Sequence, residues 1–326
     1  MQFSNFPRAV LLLGALLLPM LAPAQTVIEG RGDSAALRAI GNEAALRLQS
    51  TERRRVKLSM QSTVSAIEAV AKGEAEIALS ARGPHALKED ELTLTFRPVA
   101  WDAIVLATHV SNPTPDLSLT QLRDIYLGKI LRWDEVGGPA RAINLYAVAG
   151  PLDGVEFGLR SALFSAGHRP VAASRWYLNT EQLEAALAID PSGLGVTTLS
   201  NIRDNNKVRA LRIQGVVPTP DTLRSGEYLL ATPYYLVQRR DQPASDIATR
   251  FLQLIESPAS ADWLRARKLL PIRDAEPLAA TFATRDAQLR DLLKVQLPAS
   301  PAAAVTTALP EVAPAAEVTP TPQARL

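Results

Sequence analysis

Three segments of the chain share one design, in which a strand-forming run ends in a small-residue turn and a helix start follows. They are Gly32-Asp33-Ser34-Ala35, Gln61-Ser62-Thr63 and Leu152-Asp153-Gly154-Val155. The first N–H groups of a helix lack partners inside it, and with the helix dipole they favour an anion; hydroxyls at the cap add donors. The same spacing also suits plain capping, with Ser34, Ser62 or Thr63 and Asp153 each satisfying the turn that follows. Catalytic patterns are missing. Gly32-Asp33-Ser34 has the opening of a serine-esterase block, but Leu37 comes too late, and no Asp lies three residues before His85, His109 or His168. Gly-x-Ser-x-Gly and the phosphate-loop pattern Gly-x4-Gly-Lys-Ser/Thr are both absent. No pair of histidines has metal-ligand spacing and there is no cysteine. No catalytic residue, metal or cofactor is therefore expected. His109 closes an apolar strand, His168 lies in a Gly-His-Arg-Pro loop, and Arg53-Arg54-Arg55 reads as a solvated basic run.

The elements that must position those turns alternate. Thr26 to Glu29 reads as a strand, and Gly30 to Ser34 opens a helix with Ala36, Leu37, Ile40, Ala44 and Leu48 at helical period. Val56 to Met60, Ala75 to Ser80 and Ala103 to His109 read as further strands. A helix capped by Ser62-Thr63 and stopped by Gly73 follows the first of them. After the turn-rich Ser111 to Asp116, the spacing predicts helices at Ser118 to Tyr126, Gly154 to Phe164 and Thr180 to Ala188. Strands are expected at Ile143 to Ala149, Leu194 to Thr198 and Ala231 to Val237, then helices at Ala244 to Ile255 and Pro258 to Arg267. Such alternation in two sets is an α/β architecture with mostly parallel sheets.

At 326 residues the chain has the length of two lobes. Its 35 Lys+Arg nearly balance 33 Asp+Glu, against the basic excess of a nucleic-acid binder. Met1 to Ala24 carries Arg8, an apolar core from Ala9 to Leu21 and the small run Ala22-Pro23-Ala24, the layout of a signal peptide cleaved after Ala24. That core is too short to span a bilayer and Pro19 interrupts it, so no stable membrane span is expected after cleavage. Without a cysteine to carry lipid, an exported chain is retained in a periplasm. From Pro298 to Leu326 the sequence is mostly Pro and Ala with Thr and Val, a composition that cannot bury enough surface to offset its ordering entropy.

From about Val27 to Ile272 the order of segments resembles the phosphate-type periplasmic solute-binding proteins that feed ATP-driven importers. The most specific block is Leu122-Arg123-Asp124-Ile125-Tyr126-Leu127-Gly128-Lys129-Ile130, followed by Trp133, Val136 and Gly137-Gly138. Ala69 to Arg82, Tyr228 to Val237, and Phe251-Leu252 with Ser257-Pro258, Trp263-Leu264 and Leu269-Leu270-Pro271 match other pieces. The resemblance implies a two-lobed, Venus-flytrap periplasmic-binding-protein fold, with lobe one at 26–107 plus 232–290 and lobe two at 108–231. It also implies a small anionic solute in the cleft, phosphate or similar, and an inner-membrane ABC permease as partner. Position by position, Ser34 stands where the family has a hydroxyl, Ala35 supplies an N–H, and Ser62 or Thr63 matches the second-helix serine. Ser80 and Arg82 match its Ser-Arg stretch, with Ala81 in place of a polar contact. The second-lobe Gly-Ser-Gly-Thr reads here as Leu152-Asp153-Gly154-Val155, and the arginine before it has become something like Ala149. Asp153 repels a dianion and Val155 removes a donor. Two roles fit: capture of an anion through a rearranged contact set, or a retained fold acting in envelope interaction or regulation.

Overall fold

The computed structural model describes residues 27–294 apart from 53, 54, 86, 87, 151, 242 and 244. The expected signal peptide, Arg53 and Arg54, and the Pro/Ala-rich tail lie outside the described residues.

The chain opens with β1 (Val27–Gly32), a first helix that runs from α1 (Ser34–Ala36) through a π turn at Leu37–Gly41 into α2 (Asn42–Glu52), then β2 (Arg55–Met60), α3 (Thr63–Ala71) and β3 (Ile77–Ser80). Gly32 permits the close seating of that first helix, because a Cβ there would come within 2.6 Å of Leu37 Cδ2. The long β4 (Leu94–His109) leads to β5 (Asp116–Leu117), α4 (Leu119–Tyr126), β6 (Asn144–Val148), α5 (Gly154–Phe164), β7 (Arg175–Tyr177), α6 (Thr180–Leu187) and β8 (Gly193–Thr198). After α7 (Leu199–Ile202), β9 (Val208–Ala210), β10 (Arg212–Ile213) and α8 (Pro220–Ser225), the chain returns as β11 (Ala231–Arg239). The described residues end with α9 (Asp246–Glu256), α10 (Pro258–Ala266), β12 (Leu270–Pro271) and α11 (Glu276–Leu293).

The main sheet follows the order β2-β1-β3-β11-β4-β8-β6-β7. At one end β1 pairs in parallel with β2 and β3; at the other β6 pairs in parallel with β7 and β8. Between these halves lie β4 and β11, antiparallel to each other and to their outer neighbours. β4 joins the halves within a single strand. Leu94 to Ala103 pairs with β11, and Ile104 to Thr108 pairs with β8. In both halves the turns of interest leave the carboxyl ends of parallel strands, where α/β sheets present their ligand crevices.

Three departures from the sequence reading have physical causes. β1 runs on to Gly32, because its pairing with β2 continues to Gly32 opposite Met60, so the helix starts only at Ser34. β4 starts at Leu94 rather than Ala103: Arg97 and Pro98 give its first part the look of a loop, and only pairing with β11 makes it a strand. The helix α11 was not anticipated, since its apolar positions are sparse among charged and alanine residues.

The 122–138 block forms α4, closed at its start by a reciprocal Ser118/Gln121 capping box, and a 3₁₀ turn at Trp133–Val136 ended by Gly137 at φ +80°. Trp133 is fully buried and its indole Nε1 donates to the Ser192 carbonyl at 3.0 Å. Trp133→Ala should therefore lower unfolding stability by about 3–5 kcal/mol, the range for a buried aromatic truncation. Trp133→Phe, which keeps most of the apolar volume, should cost clearly less; urea unfolding of the two variants checks the difference.

Candidate functional site

Four strand ends meet at one point between the halves of the sheet. β1 delivers Asp33, β2 delivers Thr63, β3 delivers Ala81, and β6 with its following turn delivers Asp153 and Gly154. Asp33 is the true N-cap of the first helix, its Oδ1 accepting from the Ala36 N–H at 2.8 Å. Its Oδ2 accepts from the Ala81 N–H at 2.7 Å and lies 3.1 Å from Thr63 Oγ1. Asp153 sits at the N-cap position of α5, yet its side chain makes no cap bond there. It reaches to the other half of the sheet instead, where Oδ1 accepts from the Thr63 N–H at 3.0 Å and from the Thr63 hydroxyl. The Gly154 N–H in turn donates to Thr63 Oγ1 at 2.9 Å.

The donors that could receive an anion are thus matched to the protein's own carboxylates. Glycine at 154 allows the approach: a Cβ there would stand 2.8 Å from the Ala81 Cβ and 3.1 Å from Asp33 Oδ2. Only about 10 Å³ of space remains beside the junction, room for one water at most. The hydroxyls of Ser34 and Thr180 border that space, buried and without partners among the described residues.

The sequence candidates divide accordingly. Thr63, Asp153 and Gly154 are at the centre. Ser34 and Val155 line the residual space and Ala35 borders it, while the N–H that caps Asp33 belongs to Ala36. Ser62 caps α3 from an exposed position and bonds to Ser65, away from the junction. The Ser80 hydroxyl closes a local turn onto the Arg82 carbonyl. Arg82 is buried in a two-point ion pair with Glu91, at 2.9 and 2.6 Å, so its charge is already matched; its Nε donates to the Leu152 carbonyl at 3.0 Å. Asp33 was the residue that sequence reasoning passed over in favour of Ser34. Its signal was a cap-competent carboxylate one residue earlier, accepting from the N–H three residues on.

Burial pushes the Asp33 carboxyl up to about 6, with the charge of Asp153 adding to the rise and the N–H groups of Ala36 and Ala81 and the Thr63 hydroxyl opposing it. The hydrogen count agrees with that direction. Thr63 has one hydroxyl hydrogen and touches oxygens of two carboxylates, so both contacts are hydrogen bonds only when one carboxyl carries a proton. A protonated Asp33 donating to Thr63, which donates to Asp153, satisfies all three groups. A second buried carboxyl, Asp102, accepts from Tyr234 and from the Ser200 N–H and is likewise pushed by burial to about 6.

No helix among the described residues is long and apolar enough to cross a membrane, and no group of His, Asp or Glu among them is arranged to hold a metal. A family model described as a PBP superfamily domain matches residues 21–259. The phosphate-binding protein PstS of Bacillus subtilis (strain 168) is 26% identical over 172 residues, 52% of this chain and 54% of the relative, so the chain spans about half the length of the curated relative it matches. Among solved structures, a substrate-binding protein of phosphate-ABC-transporter type from Clostridium perfringens, solved with bound phosphate, is similar at TM-score 0.69 and 21% identity, covering 76% of this chain and 100% of that one. An ABC-type phosphate transport receptor from Vibrio cholerae is similar at TM-score 0.58 and 19% identity, covering 74% and 99%. At these identities the solved structures speak to the fold, a two-lobed α/β clamshell.

Two expected outcomes follow from the junction. Because the folded Asp33 holds its proton up to about 6 while the unfolded group loses it near 3.8, its contribution is full below 3.8 and is lost as the pH rises through 6. Asp33 and Asp102 together should make stability fall across that window, and Asp33→Asn should remove about half of their joint slope; unfolding curves at pH 4, 5, 6 and 7 measure it. Arg82→Ala should destabilise by about 3–5 kcal/mol by stranding the buried Glu91, and Arg82→Met with Glu91→Leu should restore most of the loss. Equal losses in the single and double variants would contradict that role.

Proposed function

The chain belongs to the PBP superfamily, and we propose that it is an extracytoplasmic solute-binding protein of the phosphate-importer type, whose interlobe cradle takes a small oxyanion in competition with its own Asp153. The observation that carries this reading is the set of donors from the ends of β1, β2 and β3. The N–H groups of Ala36, Thr63 and Ala81 and the Thr63 hydroxyl are each matched to a carboxylate oxygen, which is the recognition chemistry of an oxyanion site. Asp153 comes from the other half of the sheet, so parting the halves about β4 and β11 would withdraw it and free the Thr63 donors. Asp33 would stay. Its charge opposes a dianion at neutral pH, and its proton removes that opposition in mild acid. Export fits the Met1 to Ala24 leader, a periplasm is the compartment, and an inner-membrane ABC permease is the partner that the relatives' names imply for a receptor of this kind. The lobe boundaries expected from sequence, 26–107 with 232–290 and 108–231, belong to this reading, but β4 passes from β11 to β8 between Ala103 and Ile104, and α11 packs on α4, α5 and α8.

A second reading rests on Arg82. In a receptor for a charged solute a cation beside the donors would be free to meet it, whereas here the guanidinium is committed to Glu91. If Asp153 always outcompetes the solute, the clamshell is held shut by its own carboxylate and the protein acts in the envelope by interaction rather than transport.

Titration calorimetry with inorganic phosphate at pH 5.5 and 7.5 separates the readings. On the first, the parent binds weakly and more tightly at the lower pH, and Asp153→Ser, which returns a hydroxyl and removes a charge, tightens binding at least about tenfold. Absence of phosphate binding in both proteins at both pH values would leave only the interaction role.

A further inference from the structure

A second cavity, of about 350 Å³, lies beside α5 and within the size range of about 300–1,000 Å³ typical of small-molecule sites. Its walls come from both halves of the sheet and from α11. Phe157 and Ser161 of α5, Tyr235 of β11, and Phe282 and Leu289 of α11 line it. Gly83 keeps it open on the β3 side, since a Cβ there would come within 3.1 Å of the Tyr235 hydroxyl.

Two arginines of α11 give it a charge. Arg285 has a side chain only 11% exposed, with its guanidinium carbon 3.6 Å from the centre of the Phe282 ring. It donates to the Ala231 carbonyl at 3.0 Å and to Asp286 at 3.1 Å, but its Nε is buried and has no partner among the described residues. Arg290 is half-buried and its side chain meets no hydrogen-bond or ion-pair partner among the described residues. The only carboxylate in the lining is Asp286, half exposed and turned to Arg285. Arg82 also borders the cavity, its charge spent on Glu91.

We infer that this cavity binds a small organic anion with an apolar body, an aromatic or branched aliphatic monocarboxylate, with the carboxylate on Arg290 and the body against Phe157 and Phe282. The Arg290 guanidinium has no acceptor among the described residues, and the charge-assisted bonds a carboxylate would make to it are among the stronger ones in proteins. The aromatic walls bury the body of the ligand at low conformational cost. Inorganic phosphate lacks such a body and would leave those walls unused. The inference does not depend on the Thr63 cradle.

The test uses phenylacetate, with phenylacetamide and inorganic phosphate as controls, in calorimetry on the protein without its leader. Phenylacetate should bind the parent with a dissociation constant tighter than about 1 mM. Arg290→Ala, at a half-buried position without a partner, should fold normally and weaken it at least about tenfold, while Ser161→Phe should block it by filling the cavity. Failure of phenylacetate to bind the parent would overturn the inference. So would equal binding of the neutral amide, or undiminished binding in both Arg290→Ala and Ser161→Phe.

Discussion

One threonine hydroxyl, caught between two carboxylates that come from opposite halves of the sheet, sets how those halves meet. Thr63 Oγ1 accepts from the Gly154 N–H, donates toward Asp153 and touches Asp33, so a change in any of the four groups unbalances the others. Such a network is stabilising only when every member is satisfied, because an unpaired polar group in a dry interior is costly. The approach it requires is closer than any side chain at 154 would permit. A second tie holds the halves nearby: Arg38 donates to Glu184 at 2.7 Å and to the Asn201 carbonyl at 3.0 Å, and Asn201 donates to the Ala35 carbonyl.

The same donors explain why an anion receptor and a self-closed clamshell can share one framework. N–H groups at strand ends and helix starts recognise oxygen atoms by position and partial charge, and a carboxylate oxygen meets those terms as a phosphate oxygen does. What separates the two is charge. A free phosphate brings its own and would share the site with Asp33 and, unless the halves part, with Asp153. Burial first, and then the repulsion between two carboxylates on one hydroxyl, already raise the Asp33 carboxyl to about 6.

The sequence showed these elements to unequal depth. Gly154–Phe164 was read with its full bounds, and the Ser62 and Ser118 helix starts were found because a cap is a local signal within four residues. The first part of β4 was hidden, because Arg97 and Pro98 become strand residues only through pairing with β11. Asp153 was placed facing the cleft and read as a repulsive defect, whereas it is a partner for Thr63. No local pattern could show that, since the two lie 90 positions apart. Arg82 has the look of a ligand group in the sequence for the same reason: Glu91, its ion-pair partner, sits in a 3₁₀ turn that its own sequence does not announce as buried. The second cavity is invisible in the sequence because α11, which brings Arg285 and Arg290, does not show itself there.

Helix α5 links the two places. Residues 153, 157 and 161 are spaced by four and so share one face of the helix and its cap. Asp153 reaches the Thr63 junction, while Phe157 and Ser161 form a wall of the larger cavity. Arg82 stands between them, its Nε on the Leu152 carbonyl and its guanidinium 5.8 Å from the centre of the Phe157 ring. A rigid helix cannot withdraw its cap from Thr63 while leaving Phe157 in place against Arg82, so movement at one site is movement at the other. Any ligand that prefers one separation of the halves must therefore bias the other site by its difference in affinity for the two arrangements, and the bias is reciprocal.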